Sequence, residues 1–308
     1  MRKDVRGYLG SVFSSMESWP RAAADSDMKE TEEAHSPRRF ADLDAGEQHQ
    51  AAEHSAPPAL VIHEIVLKDG EAELARNGRA VFLSGLTAGL SMGFSFLGMA
   101  LIRSALPDEP FRRLLDSIGY SVGFVIAILG RQQLFTESTL TAVLPLLVRR
   151  DVTTAISLLR FWAIVLGANI LGTAIFAALL ATPGLFAEPL RAALVLIARE
   201  SVVGPFWPTL IKAIYAGWLI ALMVWLLPSA KSARLLVIVM LTYIVAIGRF
   251  SHVIAGSVEA FFAVFNGDAS IDEYLTAFFA PTIIGNTIGG VALVALLNHA
   301  PLATELQD

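Results

Sequence analysis

Long stretches without a charged residue constrain this 308-residue chain more than any other feature of its sequence. A helix that crosses a bilayer needs about 20 mostly apolar residues. Three stretches reach that length, 81–102, 161–187 and 274–298, and a fourth, 213–230, is slightly shorter at 18 residues. Because lipid cannot hydrogen-bond a peptide group, these stretches predict an all-α membrane protein.

Two further apolar stretches are shorter and stop at the same dipeptide. Residues 117–130 and 235–248 contain 14 residues each, and an arginine follows the final glycine of both. The polar segments that begin there read "GRQQLFTEST" from Gly130 and "GRFSHVIAGS" from Gly248, and apolar sequence then resumes for about half a span. We therefore predict six crossings, with the second and fifth helices interrupted.

The two interruptions and a recurring asparagine predict an internal repeat. The Gly-Arg pairs are 118 residues apart, and Asn169 in "GANILGT" precedes Asn286 in "GNTIGG" by 117. Since each half has an odd number of crossings, the second half must enter from the opposite side, which gives an inverted 3+3 repeat. Paired interruptions of this kind indicate a substrate site near the bilayer midplane. The alternative is a pair of glycine-kinked helices that simply pack against their neighbours.

Composition divides the chain into four predicted regions. Residues 1–80 contain 10 basic and 15 acidic side chains, whereas 81–308 contain 13 of each. We predict a disordered acidic tail over 1–56, a surface or amphipathic segment over 57–79, a channel domain over 80–300 and a short tail over 301–308. The chain has no cysteine, which excludes thiolate catalysis and cysteine-based metal centres, and we expect neither a metal nor a cofactor.

Charged side chains occur in both interrupted segments. A charge at the bilayer centre costs about 2.5–3.5 kcal/mol on the most lenient scale, so these side chains must face a cavity or one another. Two interpretations are open: Arg131 and Arg249 pair with Glu137 and Glu259, or the arginines contact an anion in a vestibule.

Three residues of these segments are candidates for a pore lining. His252 is the only histidine in the interior of the apolar region, and histidine can exchange a proton near neutral pH. Its alternative role is that of a neutral, hydrogen-bonded residue inside the bundle. Phe135 and Thr136 suit an apolar constriction and the orientation of a small polar solute, although ordinary packing also explains the phenylalanine.

Five motifs, in order, resemble those of the formate/nitrite transporter family: "SGLTAGLSMGFSFLG", "QLFTEST", "PFWPTLIKAIYAGWLIALMVW", "HVIAG" and "GNTIGG". The resemblance covers about residues 70–298 and is to a divergent branch of the YfdC type. It implies an aquaporin-like six-helix fold, a homopentamer with one pore per protomer, and passage of small monovalent weak-acid anions such as formate, nitrite or hydrosulfide. It also implies an inner-membrane protein, and the positive-inside rule favours, by a small margin, termini in the cytoplasm.

The resemblance also assigns residues. It places Phe135, Thr136 and His252 in the pore and Val245 at a constriction, and it implies that Arg199 or Lys212 attracts anions before the fourth helix. The predicted pore and substrate residues are Phe135, Thr136, Asn169, Val245, His252 and Asn286. This chain departs from the family at several positions, among them Gln133 and Ser251 in place of glutamates, Gly256 in place of an asparagine and Ala216-Gly217 in place of Cys-Asn. The identity of the substrate is therefore left open.

Three other functions are weighed against transport of anions. "GLSMG" around Ser91, together with His252, formally fits a rhomboid-like intramembrane serine protease. A channel for neutral solutes has a similar architecture, but the paired Asn-Pro-Ala turns typical of such channels do not occur in this sequence. A membrane scaffold or sensor that binds a partner through the acidic tail is the third. We expect a transport protein and not an enzyme.

Overall fold

The computed structural model describes residues 44–46, 48, 57–202 and 204–295. Residues 57–308 form one compact unit, and within its described part every regular element is a helix. The predicted disordered tail therefore lies almost entirely outside the described residues. Residues 296–308, which include the end of the predicted channel domain and the short C-terminal tail, also lie outside them.

The helices are numbered in chain order through the described residues. They are α1 Ala59–Ala75, α2 Gly78–Ala105, α3 Arg112–Gly119, α4 Ser121–Leu129, α5 Phe135–Thr141, α6 Leu144–Arg149, α7 Val152–Leu180, α8 Glu188–Val202, α9 Phe206–Leu226, α10 Arg234–Ile247 and α11 Val253–Asn266. The last helix, α12, runs through Ile271–Glu273, a π-helical turn Tyr274–Phe279, Ala280–Thr287 and a second π-helical stretch Ile288–Ala295.

Four of these helices are long and apolar enough to cross a membrane: α2, α7, α9 and residues Ile271–Ala292 of α12. At about 1.5 Å per residue, the 21 residues of α9 extend about 31 Å, close to the thickness of the hydrocarbon core. The four uninterrupted stretches of the sequence are thus confirmed as helices of spanning length. The arrangement of six crossings as an inverted repeat stays a prediction.

Side-chain caps fix where several of these helices begin. The side chain of Asn77 accepts a hydrogen bond from the backbone N–H of Arg79 at the start of α2, and Asp151 accepts one from Thr154 at the start of α7. Each cap satisfies a backbone donor that has no partner within the helix. The long helices therefore begin at positions that the sequence specifies locally.

Glycines allow two pairs of long helices to cross at close range. A Cβ atom on Gly89 of α2 would collide with the carbonyl oxygen of Asn169 on α7, and one on Gly217 of α9 would collide with that of Asn286 on α12. Small residues at such crossings are typical of packed membrane helices, where backbones approach closely. The two crossings place an asparagine at the same position in each half of the chain.

The first interrupted helix is longer than the apolar stretch predicted. Tyr120 between α3 and α4 has helical backbone angles, φ −59° and ψ −31°, so helical structure extends back to Arg112. The polar residues in this extension have partners: Arg113 donates to the carbonyl of Ile247 at 2.9 Å, and Asp116 accepts from Arg103 at 2.7 Å. Because these groups are paired, they do not end the helix.

Two helices lie outside the long ones. α1 packs against the first interrupted helix, with Val66 and Gly70 buried and Gly70 in close contact with the carbonyl of Thr141. The segment predicted as surface or amphipathic therefore packs one side of its helix against the rest of the bundle. Sequence reasoning did not predict α8, which buries only one apolar face, including Leu194 and Ile197, and exposes charged residues on the other.

Candidate functional site

The two breaks in the interrupted helices share one backbone conformation. Arg131 after α4 and Arg249 after α10 both have left-handed backbone angles, with φ of 50° and 51°. Each follows a glycine and closes the preceding helix with the same pair of hydrogen bonds, Arg131 N to Ile128 O with Gln132 N to Ala127 O, and Arg249 N to Ala246 O with Phe250 N to Val245 O. This is the Schellman motif, in which the left-handed residue is usually glycine.

The side chain of a buried asparagine hydrogen-bonds to the backbone of each break. Asn169 Oδ1 accepts from Phe135 N at 2.9 Å, and its Nδ2 donates to Gln133 O at 2.9 Å and to Gly85 O at 2.7 Å. The break is extended at this point, so Phe135 N and Gln133 O have no helical partner, whereas Gly85 O belongs to α2. The asparagine therefore supplies hydrogen bonds that the interrupted helix cannot make.

The second break repeats this arrangement. Asn286 Oδ1 accepts from Val253 N at 2.8 Å, and its Nδ2 donates to Ser251 O at 2.9 Å and to Ala213 O at 2.8 Å. Both asparagine side chains are fully buried. Asn169 and Asn286, both predicted as pore residues, use their amide groups to bind backbone groups of the breaks and of a neighbouring helix, and neither lines the two cavities described below; a place in the pore lining stays a prediction.

His252 is the residue from which α11 starts. Its backbone is extended, and its ring Nδ1 accepts a hydrogen bond from the backbone N–H of Ala255 at 3.1 Å. An accepting Nδ1 carries no proton, so the proton of the neutral ring lies on Nε2. The histidine is thus both a helix cap and a ring of fixed tautomer.

The Nε2 atom of His252 lies 2.8 Å from Thr136 Oγ1, and both side chains are almost completely buried. This contact joins the second residue of α5 to the cap of α11, and therefore the two breaks. The ring of Phe124 lies edge-on against the imidazole, with 5.0 Å between ring centroids. With Nε2 as donor, the hydroxyl hydrogen of Thr136 remains available to a solute.

A cavity of about 250 Å³, called here the Arg249 cavity, opens on one side of His252. Val245 and Tyr120 contribute apolar surface beside the histidine, consistent with the constriction predicted at Val245. Four basic and three acidic side chains line it: Arg103, Arg113, Lys212 and Arg249, with Asp116, Glu200 and Glu259. The cavity therefore has a small formal excess of positive charge.

A second cavity of about 600 Å³, called here the Glu73 cavity, lies beside the first break. Gln133 and Glu137, which flank Thr136 in sequence, are part of its wall. Its charged residues balance: Arg76, Arg131 and Arg234, with Asp69, Glu73 and Glu137. The contact between His252 and Thr136 thus lies between two cavities that differ in charge.

Glu73 of α1 is tied to the first interrupted helix by a hydrogen bond of 2.6 Å from Thr141 Oγ1. Burial raises the pKa of Glu73 to about 7, against hydrogen bonds from Thr141 and Gln133 that act in the opposite direction. This carboxyl group therefore changes charge near neutral pH. Sequence reasoning missed it because α1 and α5 are 59 residues apart in the chain.

The charged residues singled out from the sequence have partners other than those expected. Arg249 pairs with Glu200 at 2.9 Å and not with Glu259, and within the described ranges no ion pair joins Arg131 to Glu137. Arg249 has this partner because α8, a helix that the sequence did not predict, contributes Glu200 to the wall of the Arg249 cavity.

The two basic residues considered as anion attractors are now distinguishable. Arg199 forms an ion pair with Asp268 away from the cavity wall, at an N–O distance of 2.5 Å. Lys212 at the start of α9 lines the Arg249 cavity. Phe135 packs edge-on against Trp162, 5.7 Å between centroids, and in the part of the chain described it lines neither cavity.

Comparison with known proteins gives one family. A sequence model of the formate/nitrite transporter family matches residues 60–300. The chain is 40% identical over 250 residues to the inner membrane protein YfdC of Escherichia coli (strain K12), covering 81% of each. It is 27% identical over 247 residues to the formate channel BtFdhC of Bacillus thuringiensis, covering 78% of this chain and 93% of that one.

The fold agrees with a solved structure. A pentameric formate channel with formate bound is 20% identical, covers 73% of this chain and 98% of its own length, and superimposes with a TM-score of 0.64. Proteins of this family are channels and transporters, so the protease hypothesis based on Ser91 is wrong, and both nitrogens of His252 have partners other than that serine. The length of the family match and the identity to YfdC together show that this chain belongs to the formate/nitrite transporter family.

Proposed function

We propose that this chain is a channel or transporter for small monovalent weak acids, with formate, nitrite and hydrosulfide as the first candidates. The observation that carries the proposal is the contact of 2.8 Å between Thr136 and His252, which joins two broken helices between two charged cavities. The formate channel of Bacillus thuringiensis and the solved formate channel support the choice of substrate class.

The two breaks support a six-crossing inverted repeat. Corresponding backbone atoms of the breaks are 118 residues apart, Phe135 with Val253 and Gln133 with Ser251, and each set is bound by one asparagine. In this arrangement the interrupted helices are the second and fifth crossings. The pentameric relative supports a homopentamer with one pore in each protomer, and the relationship to YfdC supports an inner-membrane location.

Passage of an acid follows from the charges and the burial along this path. An anion is attracted into the Arg249 cavity, where Lys212 and Arg249 line the wall. Loss of water beside Val245 and Tyr120 penalises the charged form and favours the neutral acid. His252 Nε2 donates to Thr136 Oγ1, and the Thr136 hydroxyl then donates to the acid, so that the acid replaces part of its lost hydration at the narrowest point.

Both termini in the cytoplasm would place the Glu73 cavity on the cytoplasmic side, because α1 at the N-terminal end of the domain forms part of its wall. Half-buried Glu137 and exposed Arg131 line the Glu73 cavity, and half-buried Glu259 lines the Arg249 cavity. In this proposal these groups hold water and protons at the two ends of the path and do not pair with each other.

Proteoliposome uptake of formate, nitrite, hydrosulfide, acetate and lactate tests the proposal. We expect uptake that rises as the external pH falls, and a loss of at least about tenfold in Thr136→Val, which removes one hydrogen bond worth about 1.4 kcal/mol. Thr153→Val is the matched control, because Thr153 is exposed on α7. Normal uptake with unchanged pH dependence in His252→Ala would contradict the role of the histidine, and water or glycerol flux without acid uptake would favour a neutral-solute channel.

A further inference from the structure

The π-helical turn at the start of α12 contributes one aromatic side chain to the wall of the cavity that His252 also lines. Phe278 lies in this turn, is 2% exposed and lines the Arg249 cavity together with His252 and Gly256. A π-helical turn shifts the side chains that follow it relative to a regular helix and is often found at functional sites. The position of the Phe278 ring beside the histidine therefore depends on this local irregularity.

Gly256 is the residue that makes room for this ring. It lies four residues after His252, on the same face of α11. A Cβ atom on Gly256 would be 2.5 Å from Phe278 Cζ and 2.8 Å from Cε2, closer than carbon atoms can pack. At this position the family resemblance implies an asparagine, so a ring that cannot form hydrogen bonds occupies space next to an amide site that this chain has lost.

The ring is held in place by its surroundings. Tyr274 stacks on Phe278 with 6.1 Å between centroids, and Phe261 packs against Tyr274 at 4.4 Å. The hydroxyl of Tyr274 lies 3.1 Å from Ser257 Oγ on α11. A side chain fixed by packing and a hydrogen bond presents one surface to the cavity.

We propose that Phe278 determines which acids reach His252 from the Arg249 cavity. This inference rests on the proposed transport function and adds a selectivity residue to it. The ring offers apolar surface where the solute must lose water, and it occupies width that a longer carboxylic acid needs. The expected preference is for formate-sized acids over acetate and lactate.

Removal of the ring tests this preference. In proteoliposomes, Phe278→Ala should raise the ratio of acetate or lactate uptake to formate uptake by at least about tenfold, whereas Phe278→Leu should raise it less. Phe279→Ala is the control, since Phe279 belongs to the same turn and does not line the cavity. An unchanged ratio in Phe278→Ala, with formate uptake retained, would overturn the inference.

The contact between the ring and Gly256 predicts non-additive variants. Gly256→Ala alone should lower formate uptake, because the new methyl group forces the ring out of its position. In the Phe278→Ala background the same substitution should have little effect, which gives a coupling that independent sites do not show. Equal effects of Gly256→Ala in both backgrounds would show that the two residues act separately and would contradict the proposal.

A labelling experiment separates failure of this inference from failure of the transport function. Because the chain has no cysteine, Phe278→Cys and Phe279→Cys each introduce a single thiol. We expect a small methanethiosulfonate reagent to modify only the first, since only position 278 faces the cavity. If the unaltered protein transports none of these acids, the proposed function is wrong, and labelling still decides whether position 278 is open to the cavity. If position 278 is not labelled, only the inference about Phe278 is contradicted.

Discussion

The two breaks are nearly identical in backbone and differ in side chains. Both close a helix through a left-handed arginine, and in both one asparagine hydrogen-bonds to two backbone groups of the break and to one carbonyl of a neighbouring helix. At the first residue before the second half-helix, however, the first break has Leu134, which provides no side-chain cap, and the second has His252, which does. The comparison separates two roles: the asparagines and the turn occur in both breaks and stabilise the fold, whereas the histidine occurs in one break only and is the residue that the proposed function uses.

The same separation extends to the cavities. The first break adjoins a larger cavity with balanced charge, to which α1 contributes the carboxyl of Glu73, whereas the second adjoins a smaller one with an excess of basic residues. The two matched breaks therefore adjoin cavities that differ in volume and in charge.

The largest effects are expected when an asparagine is removed. Asn286→Ala leaves two backbone groups of the break buried without a partner, those of Val253 and Ser251. Since each costs about 1–3 kcal/mol, we expect a loss of at least about 2 kcal/mol, and a loss of similar size in Asn169→Ala. Apparent unfolding temperatures in detergent would measure both.

An aspartate at each position is the matched variant. Asp keeps the acceptor for the backbone N–H of the half-helix and removes the two donated hydrogen bonds. Each aspartate variant should therefore be less stable than the unaltered protein, for the same reason at both breaks. A large loss at one break and none at the other would show that the structural equivalence of the breaks is only apparent.

Much of this symmetry could be predicted from the sequence, because its signals are local. The sequence alone shows the two Gly-Arg pairs, 118 residues apart, the short apolar stretches before them and the two asparagines, 117 residues apart. It also shows that "QLFTEST" and "HVIAG" resemble motifs of the family and that His252 is the only histidine in the interior of the apolar region. These features depend on residue type and spacing along one segment.

The remaining features depend on which segments meet in space. The sequence predicts the asparagines in the pore lining. Their hydrogen bonds to the backbone of the breaks join residues 33 to 36 positions apart in sequence, which no local pattern reveals. Phe278 depends on a π-helical turn, which changes the register of side chains without a signal in hydrophobic periodicity. The ion pair of Arg249 depends on α8, whose 15 residues include four charged ones and are too few to be recognised as a membrane span.

An intermediate effect is expected at Glu73, which only the first break adjoins. Its pKa rises from a usual 4.5 to about 7 because it is buried, so the folded protein binds this proton more tightly than the unfolded chain does. The associated stability is fully present below pH 4.5 and is lost as the pH rises to about 7. Glu73→Gln should remove this decline, which apparent unfolding temperatures measured between pH 4 and 8 would detect.

Glu71→Gln controls for the loss of a carboxylate from the same helix, since Glu71 is partly exposed and pairs with exposed Arg149. That variant should keep the pH dependence of the unaltered protein. If Glu73→Gln keeps it too, the carboxyl group is not the titrating link between α1 and the first break.

The smallest effects are expected at the arginines that close the breaks. A left-handed conformation costs a residue with a Cβ atom about 1–2 kcal/mol, and glycine avoids this cost but loses about 0.5–1 kcal/mol through its greater freedom in the unfolded chain. Arg131→Gly should therefore be neutral to slightly stabilising. Arg249→Gly also loses an ion pair with Glu200 that is about half exposed, worth about 0–1 kcal/mol, and should be slightly less stable than its counterpart.

Alanine at each position tests the cause, because it removes the guanidinium and keeps the unfavourable backbone conformation. Each alanine variant should be less stable than the corresponding glycine variant, and by the same margin, since φ is 50° in one break and 51° in the other. The order would fail if the left-handed backbone conformation carried no cost for a residue with a Cβ atom at these positions. Because glycine is the usual residue at this place in the motif, arginine at both breaks is then best explained by the cavities: each guanidinium lines one of them, and each break bears a small backbone cost to position a positive charge there.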